Sequence, residues 1–540
     1  MPSAIGRLRF QHYFRPAEPL DKQTHSRSLV FIFLTTFISL LGGFLVYQAT
    51  NWGAWAFSDS AAYVSAARNF AAGHGFVILN SNGGITPMTE FPPLYSMLLS
   101  LFLGSGQDPN RAIRWVNISL FPAFIGLFGT ILYIQYRRLL PAVVGMLFCV
   151  FSPVLIDIFA GVMSETLFLP LLLALLLVDL IYLQKRKGTT LIGIIVLSAL
   201  LPVTRYAGIL FVFINTICLS LLISGKLKER LHTGILILFC SLLPAGVWFT
   251  HLFLLTTKLG GKRLSIGWDI LERISRSFQV EARVLLNWLP YYGVYAPPWF
   301  NQVITFGALL VGITVITLLL RSIVINRNKE KDIPFTNLVF ISSGFLGAYL
   351  SFIAFTHAIT TPQIDIIDRM LAPILPFIIA LLMGFLALLQ TRKQMLALGI
   401  TLLVCILALR FNSLRTWASV QDFMQSGLGY SARTYQESGL IAEIQTLPPD
   451  QRMISNSAGF VLYYTNRFPL QINQFANRTY GRKDGYGERS FREKGAALIL
   501  IYPDFYNFYG DNAADLLQTV TNGLEVGYQD AVGGIYYYPE

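Results

Sequence analysis

Long apolar runs separated by short basic segments dominate the pattern of this chain. The first run, Leu29–Ala49, covers about 30 Å as a helix, which matches the hydrocarbon core of a bilayer. Ten further runs have the character of membrane spans: Trp115–Tyr136, Leu139–Ile156, Met163–Tyr182, Leu191–Thr204, Tyr206–Ser224, Thr233–Thr256, Val303–Leu320, Phe335–His357, Met370–Gln390 and Met395–Leu409. The pattern predicts a mainly α fold, a polytopic transmembrane helix bundle of about eleven spans.

The basic residues predict which side of the membrane each connection occupies. Residues 1–28 form a basic tail, and short basic connections join alternate spans at 137–138, 185–187, 226–230, 321–331 and 392–393. By the positive-inside rule these segments are cytoplasmic. Within the membrane body, 29–411, the long loops 51–114 and 258–302 then face the exterior. Pro92–Leu103 is apolar but too short to span, which predicts a re-entrant or interfacial helix.

The composition agrees with a membrane protein. Of 540 residues, 54% are hydrophobic and 13% are charged, against about 25% charged in soluble domains. The net charge of +12 follows from the basic connections, so no nucleic-acid partner is predicted. The four cysteines all lie in apolar runs, so we expect no disulfide framework.

Residues 412–540 differ from the membrane body, because no apolar run there is long enough to span a membrane. Helical and strand patterns alternate instead, which predicts a small soluble α/β domain outside the cytoplasm. The predicted helices are Tyr435–Leu447 and Asp511–Thr521, and the predicted strands are Arg452–Ser455, Ala496–Tyr502 and Gly534–Tyr538. This domain carries no recognisable catalytic motif, which leaves it the role of a lid, of a substrate-binding platform or of plain stabilisation.

Asp59 is the first acid after the first span, in the sequence Ser58-Asp59-Ser60. Ser58 is a candidate helix cap, and Gly73 is a candidate helix end. An aspartate in a first turn also complements the helix dipole without any catalytic role.

Further ionisable residues stand near the exterior ends of apolar runs, where burial is costly and often marks function. They are Glu90, Asp157, Glu165, Arg205, His357, Asp368 and Arg369. We expect them to converge on one face, either as a site or as a structural ion network. The loop 258–302 mixes basic and aromatic residues, which suits either a lipid phosphate or ordinary interfacial anchoring.

Several ordered motifs resemble one enzyme family. They are FSDSAAYVSAARNFAAGHGF and EFPPLYSMLLSLF in the first exterior loop, then MSETLF, TRYAG and DRMLAPILP. Across residues 29–411 the chain is similar to the C-type membrane glycosyltransferases, within the protein O-mannosyltransferase and aminoarabinose-transferase branch. Many members have paired acids where this chain has Asp59 alone.

The resemblance implies sugar transfer from a polyprenyl-phosphate donor to a lipid, glycan or protein acceptor at the exterior surface of a bacterial inner membrane. Asp59 would be the general base of an inverting reaction. Glu165 would position the sugar or acceptor, or share a divalent metal ion with Asp59. Arg205 and Arg369 would bind the donor phosphate, since a guanidinium suits phosphate oxygens. The other candidate substrate contacts are Tyr63, Glu90, Asp157, Tyr206, His357 and Asp368.

Two other functions stay open from the sequence. A transporter or lipid flippase would place ionisable groups near the bilayer midplane and often has two related halves, whereas here the ionisable groups lie toward one surface. A polysaccharide polymerase or ligase would use a glycan on a lipid diphosphate, and the sequence does not separate it from a monosaccharide transferase.

Overall fold

The computed structural model describes residues 22–80, 84–103, 108–256, 263–264, 267–289, 299, 333–361, 365–471 and 495–539. Most of these residues are helical. The helices of the membrane body are α1 (Lys22–Ala49), α2 (Ser58–Ala71), α3 (Leu94–Ser100), α4 (Pro109–Tyr136), α5 (Leu139–Val150), α6 (Pro153–Ala160), α7 (Glu165–Lys185), α8 (Gly188–Thr204), α9 (Gly208–Leu222), α10 (Leu227–Thr256), α11 (Ile270–Asn287), α12 (Ile333–Ile359), α13 (Asp368–Leu371), α14 (Leu375–Thr391) and α15 (Met395–Ser426). Two short antiparallel strand pairs accompany them: the hairpin β1–β2 (Val77–Leu79 with Ile85–Pro87) and the pair β3–β4 (Arg263–Leu264 with Thr360–Thr361), whose strands are distant in the chain.

The polytopic helical bundle is confirmed. Among the described residues, seven helices are long and apolar enough to cross a membrane. The predicted span Leu139–Ile156 is a bent pair of helices, and the runs on either side of Pro202 are the shorter apolar helices α8 and α9. The eleventh predicted span, Val303–Leu320, lies outside the described residues.

The bend between α5 and α6 has a local cause. The two helices differ in direction by 57°. Ser152 starts the second helix, because its hydroxyl accepts a hydrogen bond from the Leu155 amide, and Pro153 occupies the first helical position, where its missing N–H is not needed. The break therefore gives α6, which carries Asp157, a direction that differs from that of α5.

The first exterior loop folds around α2. The prediction that Ser58 caps this helix is wrong: Phe57 is the N-cap residue, and the Phe57 amide donates to the Ser60 hydroxyl at 3.1 Å. Gly73, just beyond the end of α2, has φ +82°, which favours glycine. The predicted interfacial segment forms the short helix α3, which packs on α2 through an edge-to-face contact between Tyr95 and Tyr63.

The C-terminal residues build the predicted α/β arrangement. Their helices are α16 (Arg433–Gln436), α17 (Leu440–Thr446), α18 (Ala458–Thr465), α19 (Tyr502–Tyr509) and α20 (Ala513–Thr521). Their strands are β5 (Met453–Ser455), β6 (Leu470–Gln471), β7 (Ala497–Ile501), β8 (Glu525–Gln529) and β9 (Gly533–Tyr537). The strand order is β6-β5-β7-β9-β8, parallel across the first three and antiparallel across the last three. The predicted helix Tyr435–Leu447 is two helices, α16 and α17.

The sheet and the first exterior loop share one core. Phe460 and Tyr463 of α18 are buried in the same cluster as Tyr63 and Val64 of α2. Polar contacts reinforce this packing: Arg68 Nη1 donates to the Tyr463 carbonyl at 2.7 Å. The last membrane helix, α15, continues past residue 411 to Ser426. The C-terminal residues are therefore packed directly on the helix that carries Asp59.

Candidate active site

Asp59 forms an ion pair with a residue more than 300 positions away in the chain. Arg369 Nη2 lies 2.9 Å from Asp59 Oδ2. The Asp59 side chain is 27% exposed and the Arg369 side chain is 28% exposed. The Arg369 guanidinium also lies over the Phe57 ring at 4.8 Å, a cation–π contact. Both side chains of this pair are therefore partly accessible to solvent. Either one is able to bind a new partner that approaches from the solvent side.

Glu165 and Arg205 form a second, more deeply buried pair. Arg205 Nη1 lies 2.5 Å from Glu165 Oε2, and the Glu165 side chain is 1% exposed. Glu165 is the first residue of α7, where the helix dipole favours a carboxylate. Arg205 stands in the extended break between α8 and α9, so its side chain is free to turn back toward α7.

Tyr63 is hydrogen-bonded to the buried pair through Ser164 and lies within electrostatic range of Asp59. Tyr63 lies one turn after Asp59 on α2, on the same face of that helix. Its hydroxyl donates to Ser164 Oγ at 3.1 Å, and Arg205 Nη1 donates to the same oxygen at 3.0 Å. Burial raises the pKa of Tyr63, so this hydroxyl stays protonated. Asp59, Glu165 and Arg205 all lie close enough to Tyr63 to interact with it electrostatically.

Asp157 and Asp368 flank the partly exposed pair. Asp157 lies within electrostatic range of Arg369, and Asp368 is the residue before Arg369 in the sequence. The Asp157 backbone carbonyl accepts a hydrogen bond from Trp55 Nε1 at 2.8 Å. Asp368 Oδ1 accepts from Trp288 Nε1 at 2.7 Å, which links α11 to the site.

The remaining predicted contacts lie further out. The Tyr206 hydroxyl donates to the Thr89 carbonyl at 3.2 Å, which joins the Arg205 break to the first exterior loop. Glu90, the next residue, is exposed. His357 Nδ1 is 2.7 Å from the Ser277 hydroxyl of α11. His357 is thus a contact between helices rather than a member of either ion pair.

Sequence reasoning missed two polar side chains of this network. Ser164 accepts from both Tyr63 and Arg205, and its place beside Glu165 was the only signal available. Tyr349 lies in an apolar span, is 2% exposed and interacts electrostatically with Arg205 and Glu165. An isolated tyrosine in such a run gives no sign of its partners.

The arrangement offers two guanidinium groups and two carboxylates at one end of the bundle. Guanidinium groups bind phosphate oxygens through paired hydrogen bonds, and a partly exposed carboxylate is able to accept a proton from an approaching hydroxyl or amine. Within the described ranges, no three His, Cys, Asp or Glu side chains gather closely enough to hold a metal ion. A divalent ion shared by Asp59 and Glu165 stays a prediction.

The long apolar helices, the short helices between them and the small C-terminal sheet define a polytopic helical membrane fold. Two solved structures of ArnT from Cupriavidus metallidurans share it. The structure bound to undecaprenyl phosphate is 12% identical with a TM-score of 0.55, covering 95% of this chain and 99% of that one. The apo structure is 13% identical with a TM-score of 0.56, covering 96% of this chain and 100% of that one. No known family profile and no curated protein matches the sequence.

Proposed function

We propose that this protein is a membrane glycosyltransferase that moves a sugar from a polyprenyl-phosphate donor to an acceptor on the exterior face of the membrane. The observation that carries this proposal is the presence of two ion pairs, Asp59–Arg369 and Glu165–Arg205, within electrostatic range of Tyr63 in a bundle with the ArnT fold. One of the two ArnT structures is bound to undecaprenyl phosphate, which supports a lipid phosphate as the ligand.

Arg369 is the better placed of the two candidate phosphate ligands. It is more exposed than Arg205, and its present partner is only partly buried. When a donor phosphate arrives, Arg369 exchanges Asp59 for a phosphate oxygen. Asp59 is then released as the general base. Substrate binding and activation of the base are therefore coupled through one side chain.

The transfer step follows from this exchange. Asp59 takes the proton from the acceptor hydroxyl or amine as that group attacks the anomeric carbon. The bond from this carbon to the phosphate oxygen breaks, and the phosphate keeps the electron pair. The attack comes from the face opposite the leaving group, so the anomeric configuration inverts. Arg369 stabilises the charge that develops on the leaving phosphate.

The buried pair holds the other side of the cleft. Arg205 has a fixed orientation because both Glu165 and Ser164 accept hydrogen bonds from it, so it meets a phosphate oxygen with little loss of side-chain freedom. Tyr63 and Glu165 position the substrates. The flanking residues Asp157 and Asp368 are the remaining candidates for acceptor contacts, with Glu90, Tyr206 and His357 further from the ion pairs.

The test uses the purified protein and defined lipids. Native mass spectrometry should detect a complex with undecaprenyl phosphate that Arg369→Ala weakens, whereas Arg276→Ala, which removes an exposed arginine of α11, should leave it intact. Mass spectrometry of co-purified lipids then identifies the donor: a polyprenyl-phosphate monosaccharide supports the proposal. A glycan on a lipid diphosphate would instead indicate a polymerase or ligase, and absence of any lipid-phosphate binding would refute the assignment.

A further inference from the structure

Helix α11 carries polar residues on its buried face. Its outward face is open, with Leu271 78% exposed and Phe278 43% exposed. Ser277 is fully buried, and Glu281, one turn later, is 2% exposed. Ser277 has a partner, because its hydroxyl lies 2.7 Å from His357 Nδ1. Glu281 is thus a buried carboxylate on a helix that also has exposed positions.

One oxygen of Glu281 has no partner. Among the described residues, nothing forms a hydrogen bond with its Oε1 atom. Burial raises the pKa of Glu281 to about 7. Burying a carboxylate without a hydrogen-bond donor costs free energy, and buried polar atoms in native proteins are nearly always paired. The described residues thus leave this oxygen able to accept a hydrogen bond from a ligand.

An electrostatic contact of Glu281 and a hydrogen bond of its helix link Glu281 to the candidate site. It interacts electrostatically with Tyr349, and the same tyrosine interacts with Arg205 and Glu165. Further along α11, the indole of Trp288 donates to Asp368, the residue before Arg369. Helix α11 is therefore linked to one ion pair through Tyr349 and to the other through Asp368, and Glu281 stands on it between Ser277 and Trp288.

We propose that Glu281 binds the sugar of the lipid-linked donor, with Oε1 accepting a hydrogen bond from a hydroxyl or ammonium group of that sugar. This inference rests on the proposed function. A carboxylate repels a phosphate, so the phosphate end of the donor stays with the arginines. The glutamate faces the other end. Glu281 is therefore a residue that determines which sugar is accepted.

The experiment compares lipids with and without a sugar. The full chain, in detergent, is titrated with undecaprenyl phosphate, its mannose ester and its aminopentose ester. The variants are Glu281→Gln, Glu281→Asp and, as a matched control on the same helix, Glu272→Gln, whose side chain is 65% exposed. Thermal midpoints are recorded for each variant.

For wild type we expect at least one sugar ester to bind about 10- to 100-fold more tightly than the bare lipid, the contribution of a hydrogen bond to a charged group. Glu281→Gln should lose most of this preference, with an unchanged affinity for bare undecaprenyl phosphate and a midpoint that is equal or higher. Glu281→Asp should lose part of this preference for the sugar ester, and Glu272→Gln should keep all of it. Loss confined to the aminopentose ester identifies an ammonium partner, whereas loss with both esters identifies a hydroxyl.

Two results would overturn the inference in distinguishable ways. If Glu281→Gln keeps the sugar preference, or lowers the thermal midpoint without changing it, Glu281 has only a structural role. The proposed function would then still stand. If wild type binds neither the bare lipid nor its sugar esters, the proposed function fails and the inference fails with it.

Discussion

Removing Arg205 should destabilise the protein as well as affect donor binding, and the two effects can be separated. In the structure Arg205 neutralises Glu165, which is 1% exposed and has one carboxylate oxygen without a partner among the described residues. After Arg205→Ala, only the Ser164 hydroxyl at 3.4 Å would remain beside that carboxylate. Leaving a buried charge uncompensated typically costs about 3–5 kcal/mol.

A second substitution should recover most of this loss. The variant Arg205→Ala/Glu165→Gln has no buried charge, and replacing both members of a buried pair is often close to neutral. We expect its free energy of unfolding to return to within about 1–2 kcal/mol of wild type. The control is Arg276→Ala, which removes an exposed partner of Glu272 and should change stability by less than about 1 kcal/mol.

The assay has two readouts. Denaturant titration in detergent gives the free energy of unfolding, and titration with undecaprenyl phosphate gives the affinity of the stable variants. Weak lipid binding by the stable double variant would assign Arg205 to the phosphate, whereas normal binding would assign it to structure alone. The reasoning about burial is refuted if Arg205→Ala unfolds at the wild-type denaturant concentration, or if the double variant is no more stable than the single one.

Four other perturbations test separate parts of the structure. Asp59→Asn should lower transfer by about 10²–10⁴-fold, the usual contribution of a general base, with little effect on melting because its ion pair is partly exposed; near wild-type turnover would remove it from the mechanism. Ending the chain at Gly427 should expose Ser58–Ala71 to limited proteolysis, since their packing partner is gone; equal resistance in the full and truncated chains would contradict a shared core. A cysteine replacing the exposed Gln518 should react with a membrane-impermeant reagent on intact cells, with wild type as the control; labelling only after lysis would reverse the predicted side. Burial raises the pKa of Glu281 from 4.5 to about 7, so between these pH values the folded protein holds a proton that the unfolded chain releases. The thermal midpoint of the wild type should therefore fall as the pH rises from about 5 to 7. In Glu281→Gln the midpoint should depend less on pH over the same interval.

The membrane body could be predicted from sequence because bilayer thickness sets the length of an apolar helix. Ten of the eleven predicted segments coincide with described helices or helix pairs. The bend at Ser152 and Pro153 was not predicted, because composition gives the length of an apolar run but not the direction of its helices. The strands Met453–Ser455 and Ala497–Ile501 were visible as short apolar runs, whereas their order in the sheet depends on contacts distant in sequence.

The candidate site could be predicted only one residue at a time. Asp59, Glu165, Arg205 and Arg369 stood out because a charge at the end of an apolar run is costly. Their pairing is a tertiary property, since Asp59 and Arg369 are 310 positions apart. Glu281 was not predicted as a site residue, because an acid in an amphipathic, basic and aromatic segment is typical of a solvated surface.

The shared core of the exterior loop and the C-terminal residues also sets the order in which the protein matures. Ser65 of the first exterior helix donates a hydrogen bond to Asn466, 401 positions later. At about 5–20 residues per second, the ribosome needs about 20–80 s to make the intervening chain. During that interval the helix bearing Asp59 lacks these neighbours. A chain released before Ala458–Thr465 is made therefore holds Asp59 on a helix whose shared core with the C-terminal residues has not formed.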